Sequence, residues 1–255
     1  MPVTLNEIRR YPVKGLNGEA LDHTMLAPGE GIPHDRRFAL AHAASQFDRG
    51  NPEWMPKRNF LQLMRDERLA LLDARFDPET GMLTMFRDGR QVARGDITQP
   101  LGRALVEQFL QAFIPPGPRG NPHFVEVPGR MLSDVPDKYV SILNLASVKD
   151  IERVARNPVD PRRFRGNLHL DGLPAWAEMP WVGKEIAIGD VRLEVVEITG
   201  RCAATEVNPD SGERDLHMLK VLQQGFGHTK CGIYARVTVG GTIRRGDAVL
   251  VANEN

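Results

Sequence analysis

Cysteine is scarce in this chain of 255 residues, which has only Cys202 and Cys231. The two form neither a CxxC pair nor a four-ligand set, which argues against a structural zinc site or a protein-held iron–sulfur cluster. In a compartment that keeps thiols reduced they read as two free thiols, not a disulfide. Charge of one sign is also lacking. Lys plus Arg and Asp plus Glu stand at 33 each, so no bulk charge points to nucleic acid or to a membrane surface as a partner. No stretch approaches the roughly 18 apolar residues of a membrane-spanning helix. The first fifteen residues lack the continuous apolar run of a signal peptide. Heptads, internal repeats and low-complexity tracts are absent. A cytoplasmic protein of one large domain or two small ones is the expectation.

What is present is a succession of short strands with turn signals. Val3, Leu5 and Ile8 mark a strand over 3–13, and residues 36–43 and 68–76 suggest two more. Met82, Thr84 and Phe86 lead into Asp88-Gly89, a two-residue hairpin signal. Leu101, Leu105, Phe109 and Phe113 recur at spacing four and predict a helix over 100–113 with that face buried; Pro100 suits its first turn. The run Pro115-Pro116-Gly117-Pro118 stops that helix. A second helix is expected over 147–157 with Ser147 as N-cap and Val148, Ile151, Val154 and Ala155 inward. A shorter third is expected over 215–223. Residues 181–188 and 191–198 read as a hairpin around Gly189-Asp190. Ile233, Ala235, Val237 and Val239 alternate, and Ala248 to Ala252 closes the chain. Many antiparallel strands with few helices suggest barrels, which leave no edge exposed. The expected class is mainly β with a few helices (α+β), divided in the Pro/Gly-rich region 114–130.

The stretch from Thr199 to Gly212, TGRCAATEVNPDSG, is the most informative for chemistry. A strand ends, Cys202 follows Arg201, and a polar turn comes next. A cationic neighbour raises a thiol's thiolate fraction, and a thiolate is the ligand a soft metal prefers. The same cysteine also reads as a small hydrophobe in a barrel wall. Upstream, Arg162, Arg163 and Arg165 crowd the stretch from Asp160 to Leu168. That is either a solvated loop or a set of guanidinium forks suited to phosphate.

These segments resemble a known family. Arg201, Cys202, Thr205, Val207, Pro209 and Gly212 fit the cysteine motif of MOSC domains, the modules shared by molybdenum cofactor sulfurases and mitochondrial amidoxime-reducing components. Arg163-Phe164-Arg165-Gly166-Asn167 resembles the family's Arg-Phe-Arg-Pro-Asn element, with Gly166 in place of Pro. Tyr11-Pro12-Val13-Lys14-Gly15 resembles the opening of the β-barrel that precedes MOSC in many members, with Gly15 where a serine can enter the cofactor site. Gly31 to Phe38 resembles a Gly-x-x-x-Asp-Arg-x-Phe stretch, with Arg36 the aligned arginine. Gly232 to Val251 resembles the closing strands.

The resemblance implies a MOSC β-barrel over 116–255 packed against an N-terminal β-barrel-like domain over 1–115. It implies molybdenum–molybdopterin as cofactor, with Cys202 as both metal ligand and catalytic residue. Lys14, Arg36, Ser147, Arg163, Arg165, Asn167, Arg201 and Thr205 become the expected cofactor-binding residues. Ser147 reads equally as an ordinary N-cap. The implied activity is reduction of small N-hydroxylated substrates. Because the chain lacks cluster-ligand cysteines and ends at residue 255, electrons are expected from a separate ferredoxin-, flavin- or cytochrome b5-type donor. His228 and Asp210 lie near the motif as possible proton donors or as plain surface residues. A carrier of cofactor or sulfur without turnover is the alternative, and a barrel kept only as an interaction module is a third. Pyridoxal phosphate enters only as a family-level association, since no desulfurase domain fits in this length.

Overall fold

The computed structural model describes residues 2–115 and 117–251, so Pro116 in the expected helix stop and Ala252 in the closing strand lie outside the described residues. The chain opens with β1 (Thr4–Arg10), β2 (Glu19–Leu21), β3 (His23–Leu26) and β4 (Phe38–His42). The meander β5 (Asp73–Asp77), β6 (Met82–Arg87) and β7 (Arg90–Asp96) follows, then α1 (Pro100–Phe113) and β8 (Pro122–Glu126). Next come β9 (Val140–Asn144), α2 (Leu145–Ala155) and β10 (Leu168–Asp171). The rest is β11 (Glu185–Ile188), β12 (Val191–Gly200), α3 (Met218–Phe226), β13 (Lys230–Val239), β14 (Gly241–Arg244) and β15 (Val249–Val251). No helix among the described residues is long and apolar enough to cross a membrane.

The largest sheet has the order β15-β11-β12-β13-β9-β10-β1-β2. Its strands alternate: in β12, Val191, Leu193 and Val195 face inward while Arg192 and Glu194 do not, as period-two patterning requires. The Leu5 N–H donates to Asp247 O at 2.9 Å and the Val249 N–H to Val3 O at 2.9 Å. With the Thr4–Ala248 bridge these bonds join β1 to the β15 end and roll the sheet on itself, so that edge is covered. Leu5, Ile142, Leu170, Ile186, Leu193 and Ile233 belong to the core inside it. β9 and β10 run parallel, and the connection between them contains α2, the kind of crossover a parallel pair needs.

A second core lies under a two-stranded sheet, β4-β8, and the three-stranded meander β5-β6-β7, and gathers Phe38, Leu40, Phe76, Leu83, Val106, Leu110 and Phe124. Strand pairing crosses the expected division between 115 and 116. β1 pairs with β10 and β3 with β14, while β8 pairs back with β4.

The α1 helix has the expected span but only half of the expected face, since Phe113 is buried and Phe109 packs against the core. Gly102, Val106, Leu110 and Phe113 are buried, and Leu101 and Leu105 are 74% and 51% exposed. Two rows at spacing four coexist in this segment, and periodicity cannot choose between them. Gly102 decides: a Cβ there would collide with the backbone of Asp96, the end of β7, so only this face allows the close approach. The strand expected over 68–76 begins instead as a 3-10 turn, Glu67–Leu71; Leu69, Ala70 and Leu72 are all buried, which alternation along a half-buried strand does not permit. The α2 cap is Asn144, whose side chain accepts the Ala146 N–H at 3.0 Å, so Ser147 lies inside the helix. The third helix starts at Met218, three residues later than expected.

Glu7 and His169 face each other across β1 and β10, 2.9 Å apart from Oε2 to Nδ1. The hydrogen bond from His169, opposed by burial and aided by Arg9, pushes the Glu7 carboxyl down to about 2 from an ordinary 4.5. A depressed carboxylate contributes stability that is present above its ordinary value and lost as pH falls toward the folded one. With Glu7 partly exposed, the contribution is about 2 kcal/mol. Denaturant unfolding of the wild type and Glu7→Gln should show a stability gap above pH 5 that closes as pH falls toward 2.5. A gap constant across that window refutes the linkage.

Candidate cofactor site

β12 ends at Gly200, and Arg201 and Cys202 follow at the mouth of the rolled sheet. The Arg201 N–H donates to Thr229 O at 2.8 Å, holding the exit of β12 against the entry of β13. Cys202 opens a 3-10 turn, Ala203–Glu206. Its carbonyl accepts both the Thr205 N–H at 3.1 Å and Thr205 Oγ1 at 2.9 Å. Two residues further, Val207 is 2% exposed and packs into the core beneath β4 to β8. The cysteine is thereby fixed where the two cores meet.

Around Cys202 lies a pocket with about 890 Å³ of empty space, its open mouth included. Six cations line it: Lys14, Arg36, Lys57, Arg163, Arg165 and Arg201. Three carboxylates answer them. Arg36 pairs with buried Asp35. Arg163 takes Asp215 in a fork at 2.7 and 2.8 Å. Asp134 bridges two lysines, accepting Lys14 Nζ at 2.6 Å and Lys57 Nζ at 3.0 Å. Arg201 gives its guanidinium to the carbonyls of Cys231 and Phe164; Gly232 leaves room for that crossing, since a Cβ there would stand 3.0 Å from Arg201 Nη2.

Arg165 has no carboxylate partner among the described residues. It donates to Leu16 O at 2.8 Å, and burial pulls its guanidinium down to about 10, with Arg36 adding to the effect. Burial likewise pulls the Lys14 ammonium down, against Asp134. Burial also acts to lower Lys57, but the Asp134 carboxylate and then the Cys202 sulfur outweigh that and raise it. Three lining side-chain atoms, Gln62 Oε1, Arg163 Nε and Thr199 Oγ1, are buried with no partner among the described residues. The site is therefore a cationic cavity with spare donors and acceptors and one thiol at its edge. Among the described residues no three His, Cys, Asp or Glu side chains gather as a metal cluster.

A model of the MOSC domain matches residues 128–250. Those residues are a MOSC domain. The chain is 33% identical over 125 residues to mitochondrial amidoxime-reducing component 1 of Mus musculus, covering 44% of this chain and 36% of that protein. It is 26% identical over 248 residues to molybdenum cofactor sulfurase of Caenorhabditis briggsae, covering 92% of this chain and 34% of that protein. The match thus spans about a third of the length of either curated relative. Among solved structures, the YUAD protein from Bacillus subtilis aligns over 100% of this chain and 98% of its own, at 12% identity and a TM-score of 0.46.

Of the residues expected from sequence, Lys14, Arg36, Arg163, Arg165, Asn167, Arg201, Cys202 and Thr205 of the MOSC-domain protein all line the one pocket. Ser147 does not. Its hydroxyl donates to both Glu178 carboxylate oxygens at 2.9 and 3.1 Å and accepts the Trp176 N–H at 2.8 Å. It is neither the cap nor a pocket residue, because the helix starts two residues earlier and turns it onto the 174–178 loop. Asp210 pairs with Arg162 at 2.7 Å, and His228 stacks on Phe226 and meets Trp176 edge to face; neither lines the pocket. The cation that interacts electrostatically with Cys202 is Lys57, whereas the adjacent Arg201 turns its guanidinium to the Cys231 and Phe164 carbonyls. Gly15 sits at φ 90°, where a Cβ would stand 3.0 Å from Leu61 O, so a serine there would be strained. Sequence reasoning also missed Asp134, since nothing in a local pattern ties it to lysines 120 and 77 residues away.

Proposed function

We propose that this MOSC-domain protein holds the molybdenum cofactor in the Cys202 pocket and acts as an oxidoreductase on small N-hydroxylated compounds. Similarity to proteins named amidoxime-reducing component and molybdenum cofactor sulfurase supports the cofactor class. The observation that carries the reading is the sharing of one cavity by a soft sulfur ligand and a buried guanidinium without a counter-ion. A phosphate-bearing cofactor that carries a thiophilic metal answers both, since a cation drawn away from water is stable only when paired. Gln62, Arg163 and Thr199 offer it further hydrogen bonds.

In this reading Cys202 supplies the one protein sulfur to the metal, and Lys57 hydrogen-bonds to that sulfur from outside, as partners of metal ligands commonly do. Asp134 keeps Lys57 in place. Arg165 takes the cofactor's anionic end. When bound, the cofactor supplies a two-electron centre for oxygen-atom removal. The overall change is R–NHOH plus two electrons and two protons to R–NH2 plus water. The electrons come from a separate donor of ferredoxin, flavin or cytochrome b5 type.

A carrier of cofactor or sulfur is the second reading. It is favoured by the sulfurase similarity, which runs over 92% of this chain. The test is protein purified from a molybdenum-replete host, its metal measured by mass spectrometry, then assayed with a reduced dye and an amidoxime or hydroxylamine. Near-stoichiometric molybdenum with turnover supports the enzyme. Molybdenum without turnover supports a cofactor carrier, and metal-free protein overturns the enzyme and leaves the sulfur carrier.

A further inference from the structure

We infer that Tyr11 is the positioning residue of the pocket's anion-binding fork: its ring carries both the Arg36 and the Arg165 guanidinium and aims the free one, Arg165, at an oxyanion of the phosphate class. This rests on the proposed function for the site but concerns the protein's own machinery. The Arg36 guanidinium carbon lies 4.5 Å from the ring centroid and that of Arg165 4.4 Å. Guanidinium over an aromatic face is attractive, and more so where water is excluded. The tyrosine is 2% exposed.

Every other group of Tyr11 is tied to the same two arginine loops. Its N–H donates to Asp35 Oδ1 at 2.7 Å, its carbonyl accepts the Arg36 N–H at 2.7 Å, and its hydroxyl reaches Gly166 O at 3.4 Å. Gly18 makes the space, since a Cβ there would stand 2.5 Å from the ring. Both arginines hold left-handed backbones, φ 46° and 53°. Non-glycine residues keep that conformation only where the surroundings over-determine it.

The two arginines are not equivalent. Arg36 spends Nη1 on Asp35 and Asn167 and Nη2 on Arg165 O, at 2.9 Å in the last case. It thus grips the backbone of the very residue whose side chain shares its ring. Arg165 spends only Nη1, on Leu16 O, so its Nε and Nη2 donors are left to present as a planar fork, the geometry that meets two oxygens at once. Two like charges on one ring repel each other, and an anion bound at Arg165 relieves that repulsion. An ammonium in place of Arg165 keeps the charge but loses both the flat stack and the fork.

The test uses the full chain without cofactor and titrates inorganic phosphate by calorimetry at fixed ionic strength. Tyr11→Phe should bind within about twofold of the wild type, since the ring remains. Tyr11→Leu and Arg165→Lys should each bind about tenfold more weakly. Wild-type affinity in Arg165→Lys, or in a folded Tyr11→Leu, overturns the inference, as does a wild type that takes no phosphate. If Tyr11→Leu does not fold, Tyr11→Phe and Arg165→Lys decide between ring and bare charge. Phosphate binding that follows this pattern in a protein that never holds molybdenum leaves the positioning role standing and defeats the cofactor reading. Molybdenum retained equally by wild type and Tyr11→Leu does the reverse.

Discussion

Cys202→Ser is expected to abolish molybdenum retention and turnover, while Cys231→Ser leaves most of both. Arg201, next to Cys202, donates to the Cys231 carbonyl, but the surroundings of the two thiols differ. Cys202 is half-buried at the pocket edge, with the Lys57 ammonium against its sulfur. A hydroxyl there is a hard, poorly ionised substitute for a thiolate, so the loss should exceed the 10–100-fold typical of removing an outer-shell partner (about 100-fold or more). Cys231 is fully buried among Leu143, Val148, Phe164 and Leu222, and burial pushes its thiol up to about 12. It is inert at neutral pH, and only its carbonyl serves the site, through Arg201. Metal content by mass spectrometry and dye-linked turnover read both variants. Equal losses in the two would remove the special role of Cys202.

Asn167→Leu should cost both stability and the cofactor. Asn167 was expected to grip a ligand, and it does line the pocket, but the structure spends its amide on the protein. Its Oδ1 accepts the Ser141 N–H at 3.1 Å, the Ser141 hydroxyl at 2.8 Å and Arg36 Nη1 at 3.3 Å, and its Nδ2 donates to Arg9 O at 3.1 Å. The side chain is 1% exposed. Leucine leaves the Ser141 N–H and the Arg9 carbonyl without those partners, at about 1–3 kcal/mol for each buried group. A loss of about 3 kcal/mol lowers Tm by roughly 6–12 °C in a domain of this size. The same change frees one side of Arg36 and so loosens Arg165. The expected outcome is a folded protein with a lower Tm by calorimetry and less molybdenum per chain. An unchanged Tm with the metal lost would return Asn167 to the role of direct ligand contact.

Much of the fold was legible because period-two burial is a local property. The strands over 82–87 and 191–200 and the helix over 100–113 carry it, or its helical counterpart, within a dozen residues, while the strand over 38–42 is buried on both faces. The face of α1 was not legible, since both rows at spacing four are apolar and only contact with Asp96 selects one. Ser147 failed for a related reason: a shift of the helix start by two residues moves a side chain to another wall, and the Asn144 cap that sets the start competes locally with an equally good serine. In the site, the residues named by motif converge, but their work divides in a way the motif does not contain. Thr205 and Asn167 fold the loops, Arg163 and Arg36 are matched by carboxylates, and Arg165 alone keeps an unspent fork.

From the order of residues alone came the two free thiols, the strand-rich class and the family to which the cysteine motif belongs, because composition and short motifs need no knowledge of distant neighbours. The rolled sheet closed by residues 3–5 against 246–249, the approach of Lys57 to Cys202, the Asp134 bridge and the shared ring of Tyr11 were settled by tertiary structure. Each joins groups dozens to hundreds of residues apart, and the energies involved, burial of charge and pairing across a cavity, depend on separation in space and not along the chain.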